Sequence, residues 1–102
     1  MKRVTTINLI KQTETLDEIR QPVMHETSST VYGTLLEITR NEWTAAQQQS
    51  LSPAFRILVF FGDYHGENIA ELNGKRYLIY RTYGADDYIE LYLGERIGEL
   101  NG

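Results

Sequence analysis

The 102 residues are one domain's worth of chain, and 41% hydrophobic with 24% charged residues is ordinary globular usage, which excludes wholesale disorder. The chain has no cysteine, which excludes disulfides, thiolate catalysis and cysteine zinc sites. Its net charge of −4 is spread without a basic block: residues 1–53 hold five basic and six acidic groups and residues 54–102 hold five and eight, so nothing advertises the positive patch with which duplex-DNA binders neutralise phosphates.

The N-terminus Met1-Lys2-Arg3-Val4-Thr5-Thr6 is basic, but no apolar segment of signal-peptide length follows it. The longest unbroken apolar run is Ile57-Leu58-Val59-Phe60-Phe61, whereas a membrane span needs about 20 residues. The expectation is a soluble protein made in the cytoplasm.

Thr5 to Lys11 reads as a first strand, with Ile7 and Leu9 pointing one way and Asn8 and Ile10 the other. Gln12 to Pro22 is polar and ends in Pro, and is expected to be a long hairpin loop with Asp17 to Pro22 near its tip. A loop of that length on a compact domain is uncommon unless it has a job. Val23 to Ile38 is a second strand, firm from Thr30 and broken near Ser28-Ser29, in which Gly33 suggests a bulge or barrel bend.

The period then changes. Thr39-Arg40-Asn41-Glu42 matches a capping box, in which Thr39 caps the Glu42 amide and the Glu42 side chain reaches back, with Ile38 and Trp43 at the staple positions. A helix from Arg40 to about Gln49, closed by Ser50 to Pro53, is too short to be stable alone in water. Trp43 and Ala46 are its apolar stripe, so packing must hold it.

Ala54 to Phe61 is apolar on both faces and is expected to be a central strand. Gly62 to Glu67 is a turn. Ile69–Leu72 and Lys75–Thr82 flank Asn73-Gly74, the type I′ dipeptide of a hairpin. Gly84 to Asp87 turns again, and Tyr88 to Leu93 is the last strand. Five or six mainly antiparallel strands with close turns predict an all-β domain, a small barrel or sandwich with one short helix and long loops.

Few constellations here suggest chemistry. Asp63, His65 and Glu67 share a turn, but no metal-ligand spacing accompanies them, and a solvated polar turn is the better reading. Asp86-Asp87 lacks any calcium-loop register and reads as a hairpin turn. Tyr77, Tyr80, Tyr83, Tyr88 and Tyr92, with Arg76 and Arg81, could stack single-stranded nucleic acid, yet cross-strand packing uses the same residues. No nucleophile motif and no phosphate loop is present, so neither a catalytic residue nor a cofactor is expected, and the chain reads as a non-enzyme.

Taken in order, four stretches resemble the bacteriophage head-closure, or head–tail joining, proteins. They are Ile7-Asn8-Leu9-Ile10 with Leu16-Asp17-Glu18; Val31-Tyr32-Gly33-Thr34-Leu35 leading into Ile38 to Ala46; Leu51-Ser52-Pro53-Ala54-Phe55; and Asn73 to Tyr83 followed by Asp86 to Leu91. In the second stretch the family tends to have a small or basic residue, an acid, an aromatic and later an alanine. No single motif is specific; the ordered set, covering nearly the whole chain, carries the likeness. One departure is that Asp17-Glu18-Ile19-Arg20 lacks the glycine that often follows the acid of the first loop.

The resemblance implies a virion protein, found in the host cytoplasm during assembly. Copies would form an about twelve-fold ring between the portal or adaptor and the tail. The ring would retain packaged double-stranded DNA without sequence-specific binding and offer a docking surface to the tail. It would need no cofactor, metal or membrane. Gln12–Pro22 and Arg40–Pro53 become the expected intersubunit or channel-facing segments, with Asp17, Glu18, Arg20, Arg40, Glu42, Trp43, Gln47 and Gln48 as candidate contact residues. Two other readings are an OB-like or SH3-like module for nucleic acid or peptide, and a tail-terminator or tail-completion protein.

Overall fold

The structure, a computed structural model, describes residues Arg3 to Ile97, with the backbone alone at Ala85; Met1 and Lys2 of the basic N-terminus lie outside the described residues. Six antiparallel strands follow one another as β1 (Arg3–Leu16), β2 (Pro22–Leu36), β3 (Leu51–Phe60), β4 (Ile69–Leu72), β5 (Lys75–Ala85) and β6 (Tyr88–Arg96). A helix, α1 (Arg40–Gln47), joins β2 to β3, and a single 3-10 turn at Phe61–Asp63 follows β3. The strands close into a barrel in the order β1-β2-β3-β6-β5-β4. The all-β expectation therefore holds, and closure chooses the barrel over the sandwich. Among the described residues no helix is long and apolar enough to cross a membrane.

Alternation fills the interior. Ile7 and Leu9, Val31, Ile57 and Val59, Ala70 and Leu72, and Ile89, Leu91 and Leu93 form the buried cluster, with Leu35, Phe55 and Tyr77 packed against it. These residues recur every second position because side chains on a strand alternate faces. Gly33 sits among them with no slip in register on either side. It marks a close approach and not a bulge: a Cβ there would lie 2.5 Å from Ile57 Cγ2 and 3.2 Å from Val59 Cγ1.

Two bulges do occur, and both flank β6. Ala54 is the extra residue of β3, between Pro53 opposite Gly94 and Phe55 opposite Leu93. Tyr80 is the extra residue of β5, between Ile79 opposite Leu93 and Arg81 opposite Tyr92. Each resets the alternation of its strand. Without the second bulge Arg81 would share the inward face of Tyr77 and Ile79; with it, Arg81 stands outside, over the Tyr92 ring at 4.0 Å. Gly94 is the residue that lets both bulges approach, since a Cβ there would meet Ser52 O at 2.7 Å and the Tyr80 ring at 3.1 Å.

The largest departure from expectation lies at the first hairpin. Gln12–Pro22 is not a long loop. The strands pair without interruption from Arg3 opposite Leu35 to Leu16 opposite Pro22, through Ser28 and Ser29. The connection shrinks to a tight turn over residues 17–21, built by Asp17, whose carboxylate accepts from the amides of Ile19 (2.9 Å) and Gln21 (2.8 Å). The missing glycine is replaced by Arg20 itself, in the left-handed region at φ 64°. Beyond the barrel, where β1 has left β4 and β2 has not yet met β3, residues 11–27 pair only with each other. They form a projecting ribbon. The molecule is accordingly elongated, 51 × 33 × 25 Å.

Other boundaries shift by smaller amounts. The helix stops at Gln47 and Ser50 turns left-handed at φ 59°, so Leu51–Pro53 belong to β3 and not to a loop. The Asn73-Gly74 turn stands as expected, both residues at positive φ. The last turn tightens to Asp86-Asp87, which lengthens β5 to Ala85, and β6 runs on to Arg96.

Gly33→Ala is expected to lower stability by about 1–3 kcal/mol, the usual cost of overpacking, because Ile57 is fully buried and has nowhere to retreat. Urea denaturation of the variant beside wild type measures this; an unchanged midpoint would show that the wall between β2 and β3 has slack.

Candidate interaction surfaces

The helix is held to the barrel by one buried carboxylate. Thr39 Oγ1 accepts from the Glu42 amide at 3.2 Å, which is the first half of the expected capping box. The second half is not made. Glu42 is 6% exposed, and its carboxylate turns to β5, accepting from the Tyr80 hydroxyl at 2.6 Å and from the Arg81 guanidinium. Glu42 therefore leaves the set of candidate contact residues: two donors of its own chain consume its charge. Charge-assisted bonds of this kind are the strong ones, and a buried carboxylate without them would be costly.

The network extends along the outer wall. Tyr80 and Tyr92 meet edge-to-face at 6.3 Å, Tyr92 donates to Glu90 at 2.8 Å, and Arg56 lies 3.5 Å from the same carboxylate. Burial, and then the Glu42 carboxylate, push the Tyr80 phenol far above its ordinary range. Burial, and then Glu90, raise Tyr92 as well. The hydrogen bond to Glu42 raises Arg81 further.

The rest of α1 faces away. Ala46 is buried, while Arg40, Gln47 and Gln48 are exposed and Trp43 is 41% exposed. Trp43 is thus not a core residue of its own barrel. Asp17, Glu18 and Arg20 gather at the ribbon tip, at the opposite end of β2 from the helix. The two groups of candidate residues are not brought together.

The outer end of the ribbon carries apolar side chains on one side, beside Glu14. Register places Leu16 opposite Pro22 and Met24 opposite Glu14, so Leu16, Pro22 and Met24 share a side, and Ile19 tops the turn. Leu16, Ile19 and Met24 are all exposed. The base of the ribbon is clamped by a forked pair in which Arg76 donates to Glu26 at 2.9 and 3.2 Å, with Gln12 donating to the same carboxylate at 2.7 Å. Those bonds hold Glu26 below the usual carboxylate range although it is open to water.

A second apolar surface escaped the sequence reading. Val4 of β1, Tyr32 of β2, Phe60 of β3 and Tyr88 of β6 are exposed around a shallow depression of about 190 Å³ that also includes Leu58 and Asp63. Phe60 and Tyr88 meet edge-to-face at 6.2 Å. The doublet Phe60-Phe61 at the end of a two-faced apolar strand was the available signal; assembling the four residues needed the register of three strand pairs.

The five C-terminal tyrosines do not form one platform. Tyr77 packs on Phe55 at 5.5 Å inside the barrel, Tyr80 and Tyr92 belong to the helix contact, and Tyr83 and Tyr88 are exposed. The Asp63–Glu67 turn is organised by Glu67, which is buried and accepts from the His65 amide at 2.7 Å. Among the described residues no group of three His, Asp or Glu side chains could hold a metal ion.

Alkaline titration tests the helix contact. A phenol whose folded value is raised stabilises the fold below the ordinary value near 10, and that contribution is lost as pH rises beyond it, because the unfolded chain ionises first. Stability is expected to be flat to about pH 9 and to fall above about pH 10. Absorbance at 295 nm should show late-ionising tyrosines, one fewer in Tyr80→Phe. That variant should also lose about 1.5–3 kcal/mol at neutral pH, the value of a hydrogen bond to a charged group. An unaltered late titration would mean that Tyr80 is not among the late-ionising phenols, so that neither its burial nor Glu42 holds its proton.

Comparison with family models, with curated proteins and with solved structures finds no match to this chain.

Proposed function

We propose that this protein is a structural subunit of a tailed bacteriophage. Copies would form the head-closure ring between portal or adaptor and tail, retain the packaged DNA and present a docking surface to the tail. The observation that carries the reading is the projecting ribbon of residues 11–27. A closed barrel already buries its own core, so a ribbon with Leu16, Ile19 and Met24 exposed has nothing of its own chain to cover. Uncovered apolar groups on an extended arm suit a subunit that lies against neighbours. The half-exposed Trp43 on a short helix supports the same reading from the other end of β2. The ordered resemblance in the sequence supplies the location in the virion. No catalytic residue, cofactor or metal has a part in this role.

Ordinary surface polarity outside these patches suggests that the free chain is a monomer or a weak oligomer, and that the ring forms on a portal–adaptor template. Deleting the gene from its phage or prophage tests the role. The expected products are filled heads that lose DNA or accept no tail, together with tails of normal length. Tails of aberrant length would make it a tail-terminator, and normal virions would overturn the virion reading. Salt-dependent binding of labelled oligonucleotides by the purified chain would favour a nucleic-acid module instead.

Trp43→Ala separates a contact role from a core role. A buried aromatic truncation costs about 3–5 kcal/mol. At 41% exposure the isolated chain is expected to lose well under that, while head–tail joining fails. A variant that melts far below wild type yet still joins heads to tails would reverse the assignment.

A further inference from the structure

The barrel is closed, yet one long backbone edge stays unpaired, along the ribbon half of β2. Which amides face that edge follows from the alternation of an antiparallel strand. The Asn68 amide donates to Ile10 O at 3.2 Å, and the Gln12 amide donates to Asn68 Oδ1 at 3.1 Å. Even-numbered residues of β1 therefore turn their backbone groups toward β4, and odd-numbered ones turn toward β2. In the register of the hairpin the odd-numbered residues of β2 answer them, and the even-numbered ones turn away. The far side of the barrel gives the same phase: the Phe61 amide donates to Asp87 O at 2.7 Å, which sets β3 and, through it, β2. β2 meets β3 only from Gly33 to Leu36. The outward N–H and C=O groups of Met24, Glu26, Ser28 and Thr30 consequently have no partner among the described residues. Every residue from Met24 to Thr30 is exposed. Open sheet edges are ordinarily guarded by proline, lysine or a bulge. This one has no Pro, Lys or Arg between Val23 and Tyr32, and the β1–β2 register never slips.

We propose that this edge pairs with the same edge of a second copy of the chain, antiparallel about a two-fold axis at Thr27, to make one β1-β2-β2-β1 sheet. Only an extended chain repeats donors and acceptors at the spacing this edge offers. In that register Met24 faces Thr30 and Glu26 faces Ser28 of the second copy, so all four outward residues on each side are used. Thr27 faces Thr27, a favourable cross-strand pair. No like charges stand directly opposite, and the Glu26 carboxylate is already matched by Arg76 of its own chain at 2.9 and 3.2 Å. The edge is thus complementary to itself in both hydrogen bonds and charge. The contact is isologous and closes at two copies. Four residues a side cover little area, so the pair is weak and forms at high concentration. A closed pair cannot grow into a ring. It belongs to the free chain and does not depend on the head-closure role.

The absence of cysteine makes the pair easy to trap. Thr27→Cys and Ser29→Cys are prepared separately, both at exposed positions. In the proposed register the two copies of position 27 form a non-hydrogen-bonded pair about 4.5 Å apart, within disulfide reach. The two copies of position 29 are offset by four residues, about 13 Å, and cannot be bridged. Each variant is oxidised at high concentration and the linked dimer is followed by mass. Thr27→Cys is expected to link about tenfold faster than Ser29→Cys, because pairing raises its effective concentration. Adding Ser28→Pro removes an outward N–H that no bond within the chain uses, and should bring Thr27→Cys down to the Ser29→Cys rate. Ser28→Glu leaves every backbone donor in place, sets a carboxylate opposite Glu26 of the second copy, and should lower the rate as well. Sedimentation of the wild-type chain should show mass rising with concentration toward two copies and no further. Equal linking at positions 27 and 29, or linking indifferent to both Ser28 variants, overturns the proposal and leaves the edge to an extended segment of another protein. The trap works on purified chains, so its outcome is independent of the gene deletion: a trapped pair from a gene whose loss leaves virions normal would keep this contact and remove the phage role.

Discussion

Closure of the sheet is the constraint from which the other features follow. Six strands that each need two neighbours must tilt and coil, and the bore is narrow enough that the β-branched Ile57 and Val59 demand a glycine opposite them at Gly33. The irregularities of the sheet gather along β6. There β3 and β5 each insert one extra residue beside Leu93, and Gly94 has no side chain to obstruct them. Bulges increase local twist and redirect side chains.

That redirection builds the helix contact. Tyr80, the extra residue of β5, and Arg81, moved to the outer face by it, converge on Glu42. A helix of eight residues has too few hydrogen bonds of its own to persist in water. Its docking depends on one carboxylate shared between a phenol and a guanidinium, with the buried Ala46 beside it. Arg81 is half open to water, so solvent screens the ion pair, and the half-buried Tyr80 hydroxyl is the better-protected bond. The helix is thus attached firmly by its first turn, while Trp43, Gln47 and Gln48 stay free of that attachment.

The ribbon follows a different logic. Its pairing continues the barrel strands beyond the barrel, where no core remains to reward it. Two-stranded ribbons are marginal in water by themselves. This one is supported by local polar contacts: Gln12 and Arg76 on Glu26, Thr15 against His25 at 2.9 Å, and the Asp17 carboxylate closing the turn. Such contacts define a direction but bury little apolar area. These contacts hold the arm away from the barrel, with Ile19 and Arg20 exposed at its tip.

Several features could be read from the residues alone. Alternation located Ile7 and Leu9, Ile57 and Val59, and Leu91 and Leu93; Thr39 announced the helix, and Asn73-Gly74 announced its turn, because these signals are local and fixed by backbone geometry. The ribbon was hidden because Gln12 to Thr15 and His25 to Ser28 are polar on both faces, so no period separates a paired arm from a loop. Glu42 satisfied a capping pattern equally well in sequence, and only the arrival of Tyr80 and Arg81, about forty residues on, decided where its charge would go. The bulges, the closure of the sheet and the Val4–Tyr32–Phe60–Tyr88 surface belong to the tertiary structure, since each depends on which strands become neighbours and in what register, and that is settled by burial of the whole core and not by any one segment.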